Sequence, residues 1–223
     1  MSPLEIAGVV VSALAIWLTA RRHLLCWPVG LASVALYAWI FLDAKLYSDM
    51  LLQGAFAALQ LYGWYRWLAQ RRLDAGRVAG ADAAHVVPER GVGWRRVAPD
   101  LLAAVLLSAL LGGAMARWTD ASLPYVDATL TAFSLVAQYW TARRYIASWQ
   151  LWCVVDVIYV GMFVYKALYL TAGLYALFVV LAAIGWRDWA RALARAEAEA
   201  EAEAEAETET ETIAPRLDAG GRA

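Results

Sequence analysis

The sequence predicts an all-α integral membrane protein with seven transmembrane helices, arranged as two three-helix repeats and one linking helix. Of its 223 residues, 62% are hydrophobic and only 17% are charged, whereas soluble domains contain about 45–50% apolar and about 25% charged residues. Seven apolar segments approach the roughly 20 helical residues that cross a bilayer. The first three segments also resemble the last three at a constant offset along the chain.

The apolar segments are separated by polar or basic turns, which set the bounds of the predicted spans. The first segment carries Glu5 and has neither a basic start nor a small-residue cleavage site, so we predict a spanning helix rather than a signal peptide. Tryptophans near the ends, among them Trp27, Trp149, Trp186 and Trp189, are typical of residues at the lipid headgroup level. The predicted spans are 4–20, 24–42, 46–68, 97–118, 126–141, 148–165 and 168–189.

A shift of 122 residues lays the third span on the seventh without a gap, and it pairs Trp67 with Trp189. The same shift carries Trp27 onto Trp149, and the run Thr-Ala-Arg-Arg at 19–22 onto the same run at 141–144. This match predicts an internal duplication. Because each unit has three spans, one linking helix lets the second unit begin on the same side of the membrane as the first. The resulting 3+1+3 arrangement of parallel repeats is one in which substrates bind near the midplane, between the halves.

The chain divides into five predicted segments. From residue 196 to 212 the sequence alternates Ala or Thr with Glu, and acids at every second position repel one another across a helical turn. We therefore expect a solvated, largely disordered acidic tail. The segments are the first bundle (1–68), an Arg-rich loop (69–96), the linking helix (97–118), the second bundle (124–189) and the tail (190–223).

Basic residues predict the orientation. If the spans alternate, all but three of the 19 Lys and Arg residues fall on one side, and the exceptions are Lys45, Arg117 and Lys166. Loops rich in Lys and Arg remain in the cytoplasm. The prediction is an N-terminus outside, a cytoplasmic C-terminus and, for a bacterial protein, the inner membrane.

Polar side chains form a stripe on several spans. Asp49, Gln53 and Gln60 share one face of the third span at helical spacing, and such groups are costly against lipid. One stripe is also compatible with simple helix–helix contact, but the fifth, sixth and seventh spans carry stripes of their own, so we predict a lined cavity. The candidate substrate-binding residues are Asp49, Gln53, Gln60, Ser134, Gln138, Trp149, Trp152, Asp156, Tyr159, Thr171 and Tyr175.

These residue types suit a small, hydroxylated solute that carries a ring. Trp and Tyr faces attract a flat or cationic ring, whereas acids, amides and hydroxyls bond to sugar hydroxyls. Trp149 has the alternative role of an interface anchor. Asp156 lies in the middle of an apolar run and is therefore the acid best placed to contact a substrate.

The stretches AKLYSDMLLQ, LYGWYRW, TARRY, SWQLWCVVDVIY and KALYLTAGLY resemble the motifs of the PnuC family of vitamin transporters, best known for nicotinamide riboside. The resemblance covers residues 4–189. It implies a SWEET-like 3+1+3 fold, a homotrimer, and facilitated diffusion made one-way by phosphorylation of the substrate in the cytoplasm. By position, it assigns substrate contacts to Asp49, Gln53, the sixth-span motif Trp149, Trp152 and Asp156, and the pair Thr171 and Tyr175.

Two departures from the family pattern leave the substrate open. Ala147-Ser148 stands where relatives have Glu-Asn, and Ser33 replaces an Asn. Thiamine, riboflavin and deoxynucleosides therefore remain alternatives to nicotinamide riboside. The expected partners are membrane lipid and the small-molecule substrate.

Other classes of protein fit the sequence less well. A retinal-binding seven-helix receptor needs a lysine in the middle of its last helix, but both lysines lie at helix junctions. An integral-membrane enzyme needs a nucleophile and a base, and the sequence has no motif for either. We therefore expect a transporter without catalytic residues, metal, cofactor or nucleic-acid partner.

Overall fold

The computed structural model describes residues 3–43, 47–74, 87–89, 93–119 and 123–220. Within these ranges the chain forms seven α-helices and no strand, so the all-helical prediction is confirmed. α3 continues past the predicted end at residue 68. The helices are α1 (Pro3–Ala20), α2 (Cys26–Asp43), α3 (Tyr47–Asp74), α4 (Trp94–Trp118), α5 (Pro124–Ala142), α6 (Ala147–Tyr165) and α7 (Tyr169–Gly220).

Four segments of the described chain are long and apolar enough to cross a membrane: Cys26–Asp43, Arg95–Trp118, Ala147–Tyr165 and Tyr169–Ala202. The apolar part of α1, Ile6–Ala20, is shorter. α3 and α5 carry the predicted polar stripes, which lower their hydropathy. Several apolar helices are thus present, as a membrane protein requires, while the seven-span topology stays a prediction.

The helices pack as two groups of three. α1 contacts α2, which contacts α3, and α5 contacts α6, which contacts α7. Two further contacts join the groups, α1 with α7 and α3 with α5, and α4 packs against α5. The third helix of each group therefore lies against the first helix of the other, and the space between the groups is enclosed on both sides.

The turns that end α1 and α5 have the same geometry. Arg22 and Arg144 adopt φ angles of 57° and 65°, in the left-handed region where helix ends usually have glycine. The amide of Arg22 donates to the carbonyl of Thr19, and that of Arg144 donates to the carbonyl of Thr141. These bonds belong to the Schellman pattern, which satisfies carbonyls at a helix end.

Four buried tryptophans, here called the tryptophan layer, form a core near the ends of α1 and α5. Trp27, Trp67, Trp149 and Trp189 are each at most 2% exposed. Trp27 meets Trp67 edge to face with ring centroids 5.2 Å apart, and Trp149 meets Trp189 in the same way at 5.5 Å. Trp67 and Trp189 join the two pairs at 5.9 Å.

The tryptophan layer corrects the expectation that these side chains lie at the headgroup level. Rings that are almost wholly covered by protein stabilise the fold through burial of large apolar surfaces. Trp186 is different, since it is 42% exposed, and Trp118 is 78% exposed. These two exposed rings remain compatible with the predicted role at an interface.

Each half of the tryptophan layer closes over a glycine. A Cβ atom on Gly63 would lie 2.0 Å from the ring of Trp27, and one on Gly185 would lie 2.7 Å from the ring of Trp149. Both distances are far below a van der Waals contact, so only glycine allows the indole to approach the helix backbone this closely.

A short part of the predicted Arg-rich loop lies against the turn between α5 and α6. Arg144, which is 8% exposed, donates to the carbonyl of Val87 at 2.9 Å and forms an ion pair with Glu89. The amide of Glu89 donates in turn to the carbonyl of Arg144 at 2.9 Å. We call this set of contacts the loop clasp.

α7 runs through the acidic tail to Gly220, where we expected a largely disordered chain. Ala and Glu both have high helix propensity, which favours a continuous helix, whereas repulsion between the closely spaced acids opposes it. The disorder of the tail in solution stays a prediction, which circular dichroism of the isolated tail would test.

Candidate substrate-binding site

A cavity of about 360 Å³ lies between the two groups of helices. Side chains from α1, α2, α3, α5, α6 and α7 line it, so both groups contribute to its wall. Nine of the predicted residues are in this lining: Gln53, Gln60, Ser134, Gln138, Trp149, Trp152, Asp156, Tyr159 and Tyr175.

Two predicted residues are not in the described lining. Asp49 lies in the first turn of α3, and its side chain is outside the described residues. Thr171 is half-buried and lies one turn before Tyr175 on α7, but it does not line the cavity. Helical spacing relates Thr171 to Tyr175, but the depth of the cavity along α7 depends on how this helix packs against its neighbours.

Other lining residues were not among the candidates. Thr19 and Thr141 both line the cavity, and they correspond to each other across the 122-residue shift, as do Phe56 and Phe178. The repeat was therefore a signal that could have found them. The remaining members are Ala15, Ile16, Cys26, Trp27, Phe41, Leu52 and Ala182.

Trp152 is held in place by a hydrogen bond from its ring. Its Nε1 donates to Oγ1 of Thr141 at 3.3 Å, and that hydroxyl donates to the carbonyl of Ala137 at 2.9 Å. The two bonds tie α6 to the last turns of α5. Trp152 is half-buried. Because one edge of its indole is fixed in this way, the ring is a preorganised surface in the wall of the cavity.

Trp149 lies deeper than Trp152, since it is only 2% exposed. It is part of both the cavity wall and the tryptophan layer. The alternative role of Trp149 as an interface anchor is therefore wrong. Trp149 packs against Trp189 and forms part of the cavity wall.

An aromatic cluster forms the wall next to Asp156. The rings of Tyr159 and Tyr175 are 4.6 Å apart, and Tyr175 meets Phe178 at 5.5 Å. Ser134 lines the same cavity and adds a hydroxyl group. This part of the lining combines ring faces with hydroxyl groups.

Asp156 is 5% exposed and faces this aromatic cluster from the middle of α6. Within the described part of the chain, no ion pair or hydrogen bond holds its carboxyl group. A buried acid without a partner is costly. Asp156 is therefore a candidate for contact with a bound substrate.

Comparison with known proteins agrees with this architecture. The family of nicotinamide mononucleotide transporters matches residues 2–191. The chain is 27% identical, over 204 residues and 85% of each chain, to a protein of Escherichia coli (strain K12) described as nicotinamide riboside transporter PnuC. It is 25% identical, over 187 residues and 83% of each chain, to the riboflavin/roseoflavin transporter RibM of Streptomyces davaonensis.

A solved structure has the same fold. The crystal structure of the vitamin B3 transporter PnuC aligns with a TM-score of 0.67, 22% identity and coverage of 86% of this chain and 82% of that one. At this identity the likeness concerns the fold alone. Together with the family match over most of the sequence, it sets aside the receptor and membrane-enzyme alternatives, and the chain belongs to the PnuC family of nicotinamide mononucleotide transporters.

Proposed function

We propose that this protein takes up nicotinamide riboside across the bacterial inner membrane by facilitated diffusion. The observation that carries the proposal is the cavity between the two groups of helices, which combines indole and phenol rings with amides, hydroxyls and one buried carboxyl group. The name of the Escherichia coli relative points to the same solute.

The lining offers a partner for each part of such a solute. The ring of Trp152, fixed through Thr141, suits stacking on a flat pyridine ring, because offset stacking between rings is favourable. Gln53, Gln60 and Gln138 present donors and acceptors that suit a carboxamide and ribose hydroxyls.

The proposed architecture is the SWEET-like 3+1+3 arrangement with seven spans, an N-terminus outside and a C-terminus in the cytoplasm. The contacts that recur at 122-residue spacing support it: Trp27 with Trp67 and Trp149 with Trp189, each beside a glycine. The distribution of Lys and Arg supports the orientation. A homotrimer, implied by the family resemblance, completes the proposal.

We further propose that transport is not coupled to ions. Proton and sodium relays use intramembrane acids with defined partners, and Asp156 has no basic partner among the described residues. Uptake would then follow the concentration gradient, and phosphorylation of the substrate in the cytoplasm would prevent its return.

Riboflavin is the second candidate, because RibM is a relative that spans most of the chain. The size of the cavity argues for the smaller solute. Small-molecule sites measure roughly 300–1,000 Å³, and about 360 Å³ is near the lower limit. A nicotinamide ring with one ribose needs less room than the three fused rings of a flavin.

A binding screen tests the choice of substrate. Purified protein is titrated calorimetrically with nicotinamide riboside, riboflavin, thiamine and a deoxynucleoside under the same conditions. The proposal expects the tightest binding for nicotinamide riboside. Tighter binding of riboflavin, or no binding of nicotinamide riboside, would overturn it.

A further inference from the structure

The charge of the cavity wall is one-sided. Among the described residues that line the cavity, Asp156 is the one acid, and none is basic. The arginines nearest in the sequence are used elsewhere: Arg143 donates to the hydroxyls of Tyr139 and Tyr145, and Arg144 belongs to the loop clasp. Among the described residues, the carboxyl group of Asp156 therefore has no cationic partner.

A buried carboxylate is costly unless a cation or several hydrogen bonds compensate for its lost hydration. In this site the compensation is absent from the described chain, whereas the surrounding groups are suited to a cation. Tyr159, Tyr175 and Phe178 form a continuous aromatic wall, and Trp152 lies one helical turn before Asp156 on α6. Aromatic faces attract cations strongly once water is excluded.

We propose that Asp156 makes the site selective for a positively charged ring, so that the charge of the substrate, and not only its shape, decides binding. This inference rests on the proposed function, since nicotinamide riboside carries its positive charge on the pyridinium ring. The reduced form, dihydronicotinamide riboside, has a nearly identical outline but is neutral. A neutral ligand leaves the carboxyl group without a partner. Because an unpaired buried charge is unfavourable, the site rejects the neutral ligand.

The test compares the two ligands on the same purified protein by calorimetry. We expect the parent to bind nicotinamide riboside at least about tenfold more tightly than dihydronicotinamide riboside, a difference of about 1.4 kcal/mol. Asp156→Asn removes the charge with almost no change of shape. It should reduce the preference to less than about threefold, mainly by weakening the binding of the cation.

Two further variants separate selectivity from folding. Asp156→Glu keeps the charge and should keep the preference for the cation, even if both ligands bind more weakly. Asp188→Asn removes one negative charge from an ion pair with Arg191 on α7, outside the cavity lining, and should leave the preference unchanged. Because the readout is a ratio within one preparation, partial unfolding does not alter it.

Equal binding of the two forms by the parent would overturn the inference, as would a tenfold preference that survives in Asp156→Asn. Failure of the proposed function has a different signature. The charge preference would then be present in the binding data, but reconstituted vesicles would not move nicotinamide riboside.

Discussion

Trp149 packs edge to face against Trp189, with ring centroids 5.5 Å apart and an angle of 82° between the ring planes. Trp27 and Trp67 form the same contact at 5.2 Å and 87°. In each pair the indole from the second helix of a group lies over a glycine of the third helix. Tight contacts of this kind determine where α2 and α6 lie, and hence the position of the cavity wall that they carry.

Gly185→Ala should destabilise the protein, because the added Cβ would lie 2.7 Å from the ring of Trp149. Overpacking of a buried site typically costs about 1–3 kcal/mol. Gly173→Ala in the same helix is the control, since a Cβ there meets nothing within 4 Å. The melting temperature in detergent should be lowered for Gly185→Ala only. Equal melting temperatures of the two variants would contradict this packing.

Trp152→Ala should weaken the binding of nicotinamide riboside by about tenfold or more, which corresponds to about 1.4 kcal/mol. The reason is the loss of the indole that Thr141 holds at the cavity wall. Trp186→Phe is the control, because Trp186 is 42% exposed and does not line the cavity. If calorimetry found Trp186→Phe impaired and Trp152→Ala normal, the substrate would bind in another part of the molecule.

Arg144 and Glu89 should be energetically coupled through the loop clasp. Glu89→Gln removes the ion pair but retains a hydrogen-bonding side chain, and Arg144→Met removes the buried guanidinium. Hydrogen bonds to charged groups contribute about 1.5–3 kcal/mol. We expect a coupling energy near the lower end of this range, because the Glu89 side chain is 41% exposed and exposed ion pairs contribute little. A double-mutant cycle on unfolding measures the coupling, and strictly additive effects would mean that the clasp is not formed.

The C-terminus should lie in the cytoplasm, because all but three of the 19 Lys and Arg residues fall on one side of the predicted topology. A fluorescent protein fused to the C-terminus should be fluorescent, and alkaline phosphatase fused at the same point should be inactive. Phosphatase activity there would reverse the orientation and move the loop clasp to the outside.

Much of the site could be predicted because a helix has a regular period. Gln53 and Gln60 on α3, and Asp156 and Tyr159 on α6, line the cavity as their spacing suggested. The period gives the face of a residue but not its depth, so it does not indicate that Thr171 lies outside the cavity lining. Contacts between residues distant in sequence, such as Arg144 with Glu89, leave no periodic signal and could not be predicted.

The tryptophans illustrate a second limit of the sequence. Trp189 and Trp186 both lie near the predicted end of the last span, but Trp189 is 1% exposed and Trp186 is 42% exposed. Position along the chain favours an interface role for both. Which of the two is buried depends on the neighbouring helices. The 122-residue shift does not distinguish them, because it pairs Trp64 with Trp186 as well as Trp67 with Trp189.

Uptake of labelled nicotinamide riboside into vesicles that contain the purified protein tests the account most directly. With the membrane potential held at zero, protein-dependent uptake should equilibrate at the outside concentration, with or without an imposed proton or sodium gradient. Trp152→Ala vesicles should take up the label more slowly. Accumulation above the outside concentration should occur only when the vesicles enclose ATP and a kinase that phosphorylates the substrate. Accumulation driven by an ion gradient, or uptake no faster than in protein-free vesicles, would contradict it.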